Sequence, residues 1–305
     1  FEMREINSQV EEAEELLSWH ELCDAMAAGH KLPKAEIKDS FLYRGKDTIL
    51  SRAAWIDGLG ALVKTATIFP DNPASGRPMV GGAVSLLNDE TGDLDAVINF
   101  HLVTKWKTVG DSMLGCRLLA RKDARKILIV GAGTQGRNLI QAHRAFRPDA
   151  EFTLWNRTHS SAQKMADEMD GVTAVENLEA AVGSAEIISA ATMTTEPIIR
   201  GEWLQAGQHV DLIGAYRPDM REVDDLALQR SRIFVDSFDT TLDHIGELKI
   251  PLANGAIKRD DVIADYYNLD KFVRDENDIT LFKNGGGAHL DLMVSTYILN
   301  AWRQK

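Results

Sequence analysis

Apolar residues at helical spacing, Leu16, Leu17, Leu22, Met26 and Ala27, predict a helix over 11–30. Short apolar runs follow at Ile49-Leu50, Ala61-Leu62-Val63, Gly81–Leu87 and Asp95–Phe100. Gly, Pro, Asn and Asp separate them, which predicts a small antiparallel sheet. Asp89–Asp93 reads as a hairpin turn, with Gly92 free to take positive φ. The spacing predicts a second helix over 104–122. Lys126–Val130 is then a continuous apolar run, suited to a strand buried on both faces. From there strand and helix alternate. Strands are expected at Phe152–Trp155, Ile187–Ala191, His209–Ile213 and Ile233–Val235, with helices over 137–146 and 160–170. An amphipathic helix over 288–304 ends the chain. The alternation predicts an α/β fold: a Rossmann doubly wound parallel sheet joined to a smaller α+β domain. The expected division is a smaller domain over 1–119, to which a helix over 290–305 returns, and a Rossmann domain over 120–289.

Composition narrows the partners. The chain has 305 residues and a formal net charge of −12. An acidic balance argues against nucleic acid, because phosphate binding needs a basic surface. Any local cluster of cations therefore carries information. The two cysteines, Cys23 and Cys116, lack metal-ligand spacing, so neither a metal site nor a disulfide framework is expected. That cysteine usage makes a reducing, cytoplasmic setting the expectation. There is no long apolar run to predict a membrane span, and Phe1–Glu5 does not read as a signal peptide.

Gly131-Ala132-Gly133-Thr134-Gln135-Gly136 fits G-x-G-x-x-G and stands where that motif needs to stand, after a buried strand and before a helix. The first Gly permits the tight turn, the second lets backbone approach a pyrophosphate, and the third lets helix and strand pack. Thr134 and Gln135 open the helix, whose N-terminus offers unpaired N–H groups to phosphates. The cofactor expected is NAD(H) or NADP(H). An acidic residue about 20 residues past the motif marks NAD. The chain has Asn156-Arg157-Thr158 there, which leans toward NADP(H), with Arg157 facing a 2′-phosphate. Arg157 as a solvated residue beside bound NAD(H) is the alternative.

Several segments in order resemble one family: Lys64–Pro73, Gly81-Gly82, Leu87–Gly92, the glycine motif, Asn156–Thr158, Gly214–Asp224 and Thr280–Ala288. Together they resemble the ornithine cyclodeaminase/mu-crystallin family over nearly the whole chain. The resemblance implies a homodimer whose N-terminal part and returning C-terminal helix form a substrate and dimerisation domain. It implies an NAD(P)-dependent oxidoreductase acting on CH–NH2 or C=N groups of a small amino or imino acid. Lys64 matches the family's active-site lysine. Thr192, Met193, Gly214, Lys283, Asn284, Gly285 and Gly286 fall with the cofactor-binding set, and Asp291 resembles an aspartate near the cofactor. The sequence also departs from the family. Lys107 stands where an arginine grips the substrate carboxylate, which keeps the charge and loses the bidentate fork. Asn99-Phe100 replaces an Asp-Gly pair. Tyr216 stands where ornithine cyclodeaminases place an aspartate for the substrate's side-chain amine, and a tyrosine supplies no carboxylate at neutral pH.

Arg52, Lys64 and Lys107, with Lys105 and Arg217 as further candidates, form a set of cations in an acidic chain. That set favours an anionic substrate, and three or more cations suit an imino dicarboxylate such as iminosuccinate, reduced to aspartate. Arg52 paired with an internal carboxylate is the plainer alternative. Tyr216 and His289 are further substrate-side candidates, and His101 ranks below His289 for acid–base work. In the expected mechanism hydride reaches the imine carbon while Lys64 or a water protonates the nitrogen. The alternatives are ornithine cyclodeamination or cyclic ketimine reduction and, from another class, a non-enzymatic NADP(H) and small-ligand binder like mu-crystallin.

Overall fold

The computed structural model describes residues 4–6 and 10–305. In chain order come β1 (Arg4–Ile6), α1 (Val10–Glu15), α2 (Trp19–Gly29), β2 (Glu36–Arg44), β3 (Asp47–Ile56), β4 (Gly60–Ile68), β5 (Val80–Leu87), β6 (Leu94–Asn99) and α3 (Phe100–Leu119). β7 (Lys126–Val130), α4 (Thr134–Phe146), β8 (Glu151–Trp155), α5 (His159–Asp167), β9 (Val172–Val175), α6 (Leu178–Ser184) and β10 (Ile187–Ala190) follow. The remainder is β11 (His209–Leu212), α7 (Asp225–Gln229), β12 (Arg232–Val235), α8 (Phe238–Thr241), α9 (Gly246–Ala253), β13 (Val262–Ala264), β14 (Thr280–Lys283) and α10 (Ala288–Arg303). The chain forms two compact units, Phe1–Lys107 with Gly286–Lys305, and Thr108–Gly285.

The first unit is a six-stranded sheet in the order β1-β6-β5-β4-β3-β2. All its pairings are antiparallel except β1 with β6. α10 packs on it and on α2. Alternation along β4 puts Leu62, Lys64 and Ala66 on the buried face and leaves Val63 exposed. Lys64 is thus a cation on an apolar strand face, which demands a partner.

Three expectations change here. The helix expected over 11–30 is two helices, α1 and α2. The chain is extended at Ser18, whose N–H donates to the Tyr297 hydroxyl at 2.8 Å. The helix expected from 104 begins at Phe100, because the Asn99 side-chain oxygen accepts from the N–H of His101 and of Leu102. That Asx cap also ends β6 one residue early. Finally, β2 is a strand that periodicity did not reveal, since eight of its nine residues are exposed and give no alternation.

The second unit is an eight-stranded sheet, β13-β12-β14-β11-β10-β7-β8-β9, in which every pairing is parallel. From β7 the chain moves outward through β8 and β9, then returns to place β10 on the other side of β7. The strand order therefore reverses between β7 and β10, the kind of switch point at which open α/β sheets bind ligands. Ile127–Val130 is buried on both faces, as its apolar run requires. Among the described residues no helix is long and apolar enough to cross a membrane.

Candidate active site

The glycine motif leaves β7 at the switch point. Gly131 has φ +117°, and a Cβ there would meet the Ala191 carbonyl oxygen at 2.7 Å. A Cβ on Gly136 would lie 2.0 Å from the Gly131 carbonyl oxygen, so α4 can pack only on a glycine. Gly133 differs: a Cβ there meets nothing within 4 Å. No protein atom calls for a glycine at 133, whereas a pyrophosphate approaching the α4 N-terminus does. These residues fit a dinucleotide.

At the end of β8, the Asn156 side chain accepts from Ala132 N at 3.1 Å and donates to the Thr158 carbonyl at 3.0 Å. It braces the glycine loop. Arg157 and Thr158 are exposed. On the other side of the switch point, Thr192 and Gly214 lie two residues beyond the paired ends of β10 and β11. Met193 is 73% exposed. Lys283 is fully buried, and its ammonium donates to the carbonyls of Leu212 (2.9 Å) and Asn284 (2.7 Å). The Asn284 amide donates to Thr108 O and Ser112 Oγ. Both side chains are committed inside the unit. A Cβ on Gly285 would meet Thr241 and Asp236.

In the first unit the sheet register sets Asp39, Arg52 and Lys64 directly opposite one another on β2, β3 and β4. Asp291, from the first turn of α10, points at this row. Lys64 Nζ donates to Asp291 Oδ1 (2.8 Å) and to Thr104 Oγ1 (2.9 Å), and lies 4.8 Å from the centre of the Phe100 ring. Arg52 Nη1 and Lys107 Nζ lie 3.8 and 4.0 Å from Asp291 Oδ2, and both donate to the Gly286 carbonyl. Arg52 also grips Asp39 through Nε (3.2 Å) and Nη2 (2.8 Å).

The charges tune one another. Burial, opposed by Asp291 and reinforced by Lys107, brings the Lys64 ammonium down to about 8. Burial pushes the Asp291 carboxyl up, but Lys107, Lys64 and Arg52 outweigh it and hold the group below its usual range. His289 is fully buried with its ring edge-on to His30, 5.4 Å between centres. Burial, then His30 and Lys107, drive its pKa well below the ordinary value, so it stays neutral. Lys105 instead pairs with Glu14, and Arg217 pairs with Asp219 on an exposed segment beside Tyr216. Within the first unit Lys105 is therefore engaged away from Asp291. His101 is exposed.

The ornithine cyclodeaminase/mu-crystallin family model matches residues 56–305. The chain belongs to the ornithine cyclodeaminase/mu-crystallin family. A curated relative, Delta(1)-pyrroline-2-carboxylate reductase of Paracoccus denitrificans, is 48% identical over 291 residues, covering 92% of each chain. Among solved structures, Thermococcus litoralis Delta(1)-pyrroline-2-carboxylate reductase in complex with NADH and L-proline aligns with TM-score 0.88 at 25% identity. That match covers 99% of this chain and 98% of the other. The iminosuccinate reductase of Paracoccus denitrificans in complex with NAD+ shares the fold, at TM-score 0.88 and 22% identity over 99% and 97% of the two chains. This member of the family is an NAD(P)-dependent oxidoreductase of the imine-reductase kind.

Sequence reasoning missed Asp39 and Thr104, and saw Asp291 only as a residue near the cofactor. Asp39 was legible only to a reader who had paired β2 with β3. Thr104 lies four residues after Phe100 and so on the same face of α3.

Proposed function

We propose that this protein uses NAD(P)H to reduce a cyclic imino acid carrying one carboxylate, Δ1-pyrroline-2-carboxylate or a close analogue. The observation that carries this reading is the charge balance around Lys64. Arg52, Lys64 and Lys107 bring three positive charges, and Asp39 and Asp291 offset two of them. The remaining single charge suits one carboxylate. The name of the relative that is 48% identical points to the same substrate class.

Lys107 and Arg52 bind and orient the carboxylate. Their present acceptor, the Gly286 carbonyl, is neutral, so an anionic ligand competes well for the same donors. Lys64, an ammonium below pH about 8, delivers a proton to the imine nitrogen. NAD(P)H, when bound, supplies the hydride that the imine carbon takes up. The C=N bond becomes CH–NH, and the electrons and the proton balance. Asp291 keeps Lys64 charged and aimed, and Thr104 fixes the same nitrogen from the α3 side. Gly131, Gly133 and Gly136 with the α4 N-terminus hold the pyrophosphate. Asn156 provides no carboxylate to repel a 2′-phosphate, and Arg157 is exposed beside it, which supports a preference for NADPH.

Iminosuccinate is the second reading. It is favoured by the three cations taken alone and weakened once Asp39 and Asp291 are set against them. For the homodimer that the resemblance implies, the edge strand β2 offers an apolar surface, with Phe41, Leu42 and Tyr43 exposed.

The experiment is to follow NADH and NADPH oxidation with Δ1-pyrroline-2-carboxylate, with the imine formed from oxaloacetate and ammonia, and with ornithine assayed for ammonia release. Turnover strongest on the cyclic monocarboxylate supports the reading. Turnover strongest on iminosuccinate replaces it with the second. Cofactor binding without turnover on any of them points to a binding protein.

A further inference from the structure

Glu222 lies outside every element that carries the expected chemistry, yet it is fully buried and reaches two strand ends. Its Oε1 accepts from Thr192 N and Thr192 Oγ1, each at 2.7 Å, and its Oε2 accepts from Gly214 N at 2.7 Å. Thr192 and Gly214 occupy equivalent positions beyond the adjacent parallel strands β10 and β11. One carboxyl group therefore fastens two neighbouring strand ends, one oxygen to each. A Cβ at position 214 would sit 2.5 Å from Glu222 Oε1 and 1.9 Å from the Thr192 carbonyl oxygen, so this bridge forms only around a glycine.

Glu222 is itself held. Glu247, also fully buried, accepts from the backbone N–H of Glu222 (2.8 Å) and of Val223 (3.0 Å). The arrangement is expensive. Two buried carboxyl groups lie near the Lys283 ammonium, and the Arg221 guanidinium also acts on Glu247. Burial first, then Glu247, push Glu222 up to about 8. Two backbone N–H groups at strand ends could be satisfied by water at far lower cost. What a rigid carboxyl group adds over water is a fixed spacing between the two strand ends.

The location gives that spacing a use. With a pyrophosphate at the α4 N-terminus and one ribose toward Asn156 at the end of β8, the other nucleotide runs the opposite way, over the ends of β10 and β11. We infer that Glu222 is a positioning residue for the dinucleotide: by tying Thr192 to Gly214 it shapes the floor on which the nicotinamide half lies. This rests on the reading of residues 108–285 as the cofactor unit.

Glu222→Gln keeps the size of the side chain and replaces one acceptor oxygen with an NH2 donor, which leaves one of the two backbone N–H groups without an acceptor. Binding of NADH and NADPH would be titrated by fluorescence for wild type and variant, with Tm and steady-state constants measured alongside. The variant is expected to bind both dinucleotides about tenfold more weakly, the scale of one lost hydrogen bond to a carboxyl group. Its KM for the imino acid at saturating cofactor stays at the wild-type value, which a general loosening of the fold would not produce. A folded Glu222→Gln that binds with wild-type affinity overturns the inference. If that variant does not fold, Glu222→Asp decides: it keeps the carboxyl group but is one methylene too short to reach both strand ends, and weaker dinucleotide binding supports the bridge while unchanged binding overturns it. Wild-type protein that binds neither NADH nor NADPH would instead sink the cofactor reading itself.

Discussion

Lys64 and Asp291 form a buried ion pair, Nζ to Oδ1 at 2.8 Å, although they are 227 residues apart in the chain. β4 contributes the cation on its core-facing side and α10 contributes the carboxylate from its first turn, where the helix N-terminus also favours a negative charge. The pair helps set the pH range over which Lys64 keeps its proton, and with it the range in which the proposed proton donation can run.

If Lys64 protonates the imine nitrogen, Lys64→Met lowers kcat by about 10²–10⁴-fold, the usual contribution of a general acid, and leaves the dissociation constant for NADH unchanged. A pH profile checks the same role independently. Lys64 loses its proton as pH rises through about 8, so kcat/KM is flat on the acid side and falls above that value. In Asp291→Asn the opposite charge that raises the Lys64 pKa is gone, and the falling limb moves to lower pH. A limb that stays in place would remove Asp291 from the tuning of Lys64.

The distribution of what could be read from sequence follows from burial. β7 is buried on both faces and the glycine motif adjoins it, so the Rossmann unit is visible as a run of apolar residues followed by fixed spacings. β2 lies at a sheet edge with nearly all its side chains exposed, and its sequence, Glu36–Arg44, carries no alternation to detect. Without β2 the Asp39–Arg52 pair is invisible, and the cations around Lys64 look less compensated than they are. Lys105 misleads for a related reason: its partner Glu14 is distant in sequence, in a different helix. Asp291 stood in plain view, but its effect on Lys64 depends on α10 returning to β4, a tertiary fact.

Asp39→Asn tests the charge balance directly. Asp39 and Arg52 are 35% and 21% exposed, so their pairing is that of a partly solvated ion pair. Removing the Asp39 charge leaves two net positive charges near Lys64 and shifts preference toward a dicarboxylate. The ratio of kcat/KM for iminosuccinate to that for Δ1-pyrroline-2-carboxylate is expected to rise by about 1.4–5-fold, the range of about 0.2–1 kcal/mol for such a pair. An unchanged or falling ratio would mean that Arg52 does not face the substrate's charge.

Two alanine substitutions in the glycine motif should fail in different ways. Gly136→Ala forces a Cβ to within 2.0 Å of the Gly131 carbonyl oxygen, so either α4 or the loop must move. Stability falls by about 1–3 kcal/mol, the range for overpacking, and Tm drops with it. Gly133→Ala meets no protein atom within 4 Å and keeps the wild-type Tm. Its Cβ nevertheless stands where a pyrophosphate would approach, so NADH binding weakens. Thermal denaturation and NADH titration of both variants separate a glycine kept for packing from one kept for the ligand.

The proposed preference for NADPH rests on Arg157 and is testable there. The Asn156 side chain bonds Ala132 N and the Thr158 carbonyl, and as an amide it offers a ribose hydroxyl no charged acceptor of the kind a carboxylate provides. Arg157 is exposed next to it, and under the proposed reading it meets the 2′-phosphate. A charge-assisted hydrogen bond contributes about 1.5–3 kcal/mol, so Arg157→Ala should raise the KM for NADPH by about 10–100-fold. The KM for NADH should stay the same, because NADH presents a neutral hydroxyl at that position. A parallel loss for both cofactors would instead place Arg157 against the adenine ring, which the two dinucleotides share, and would return the cofactor assignment to NADH.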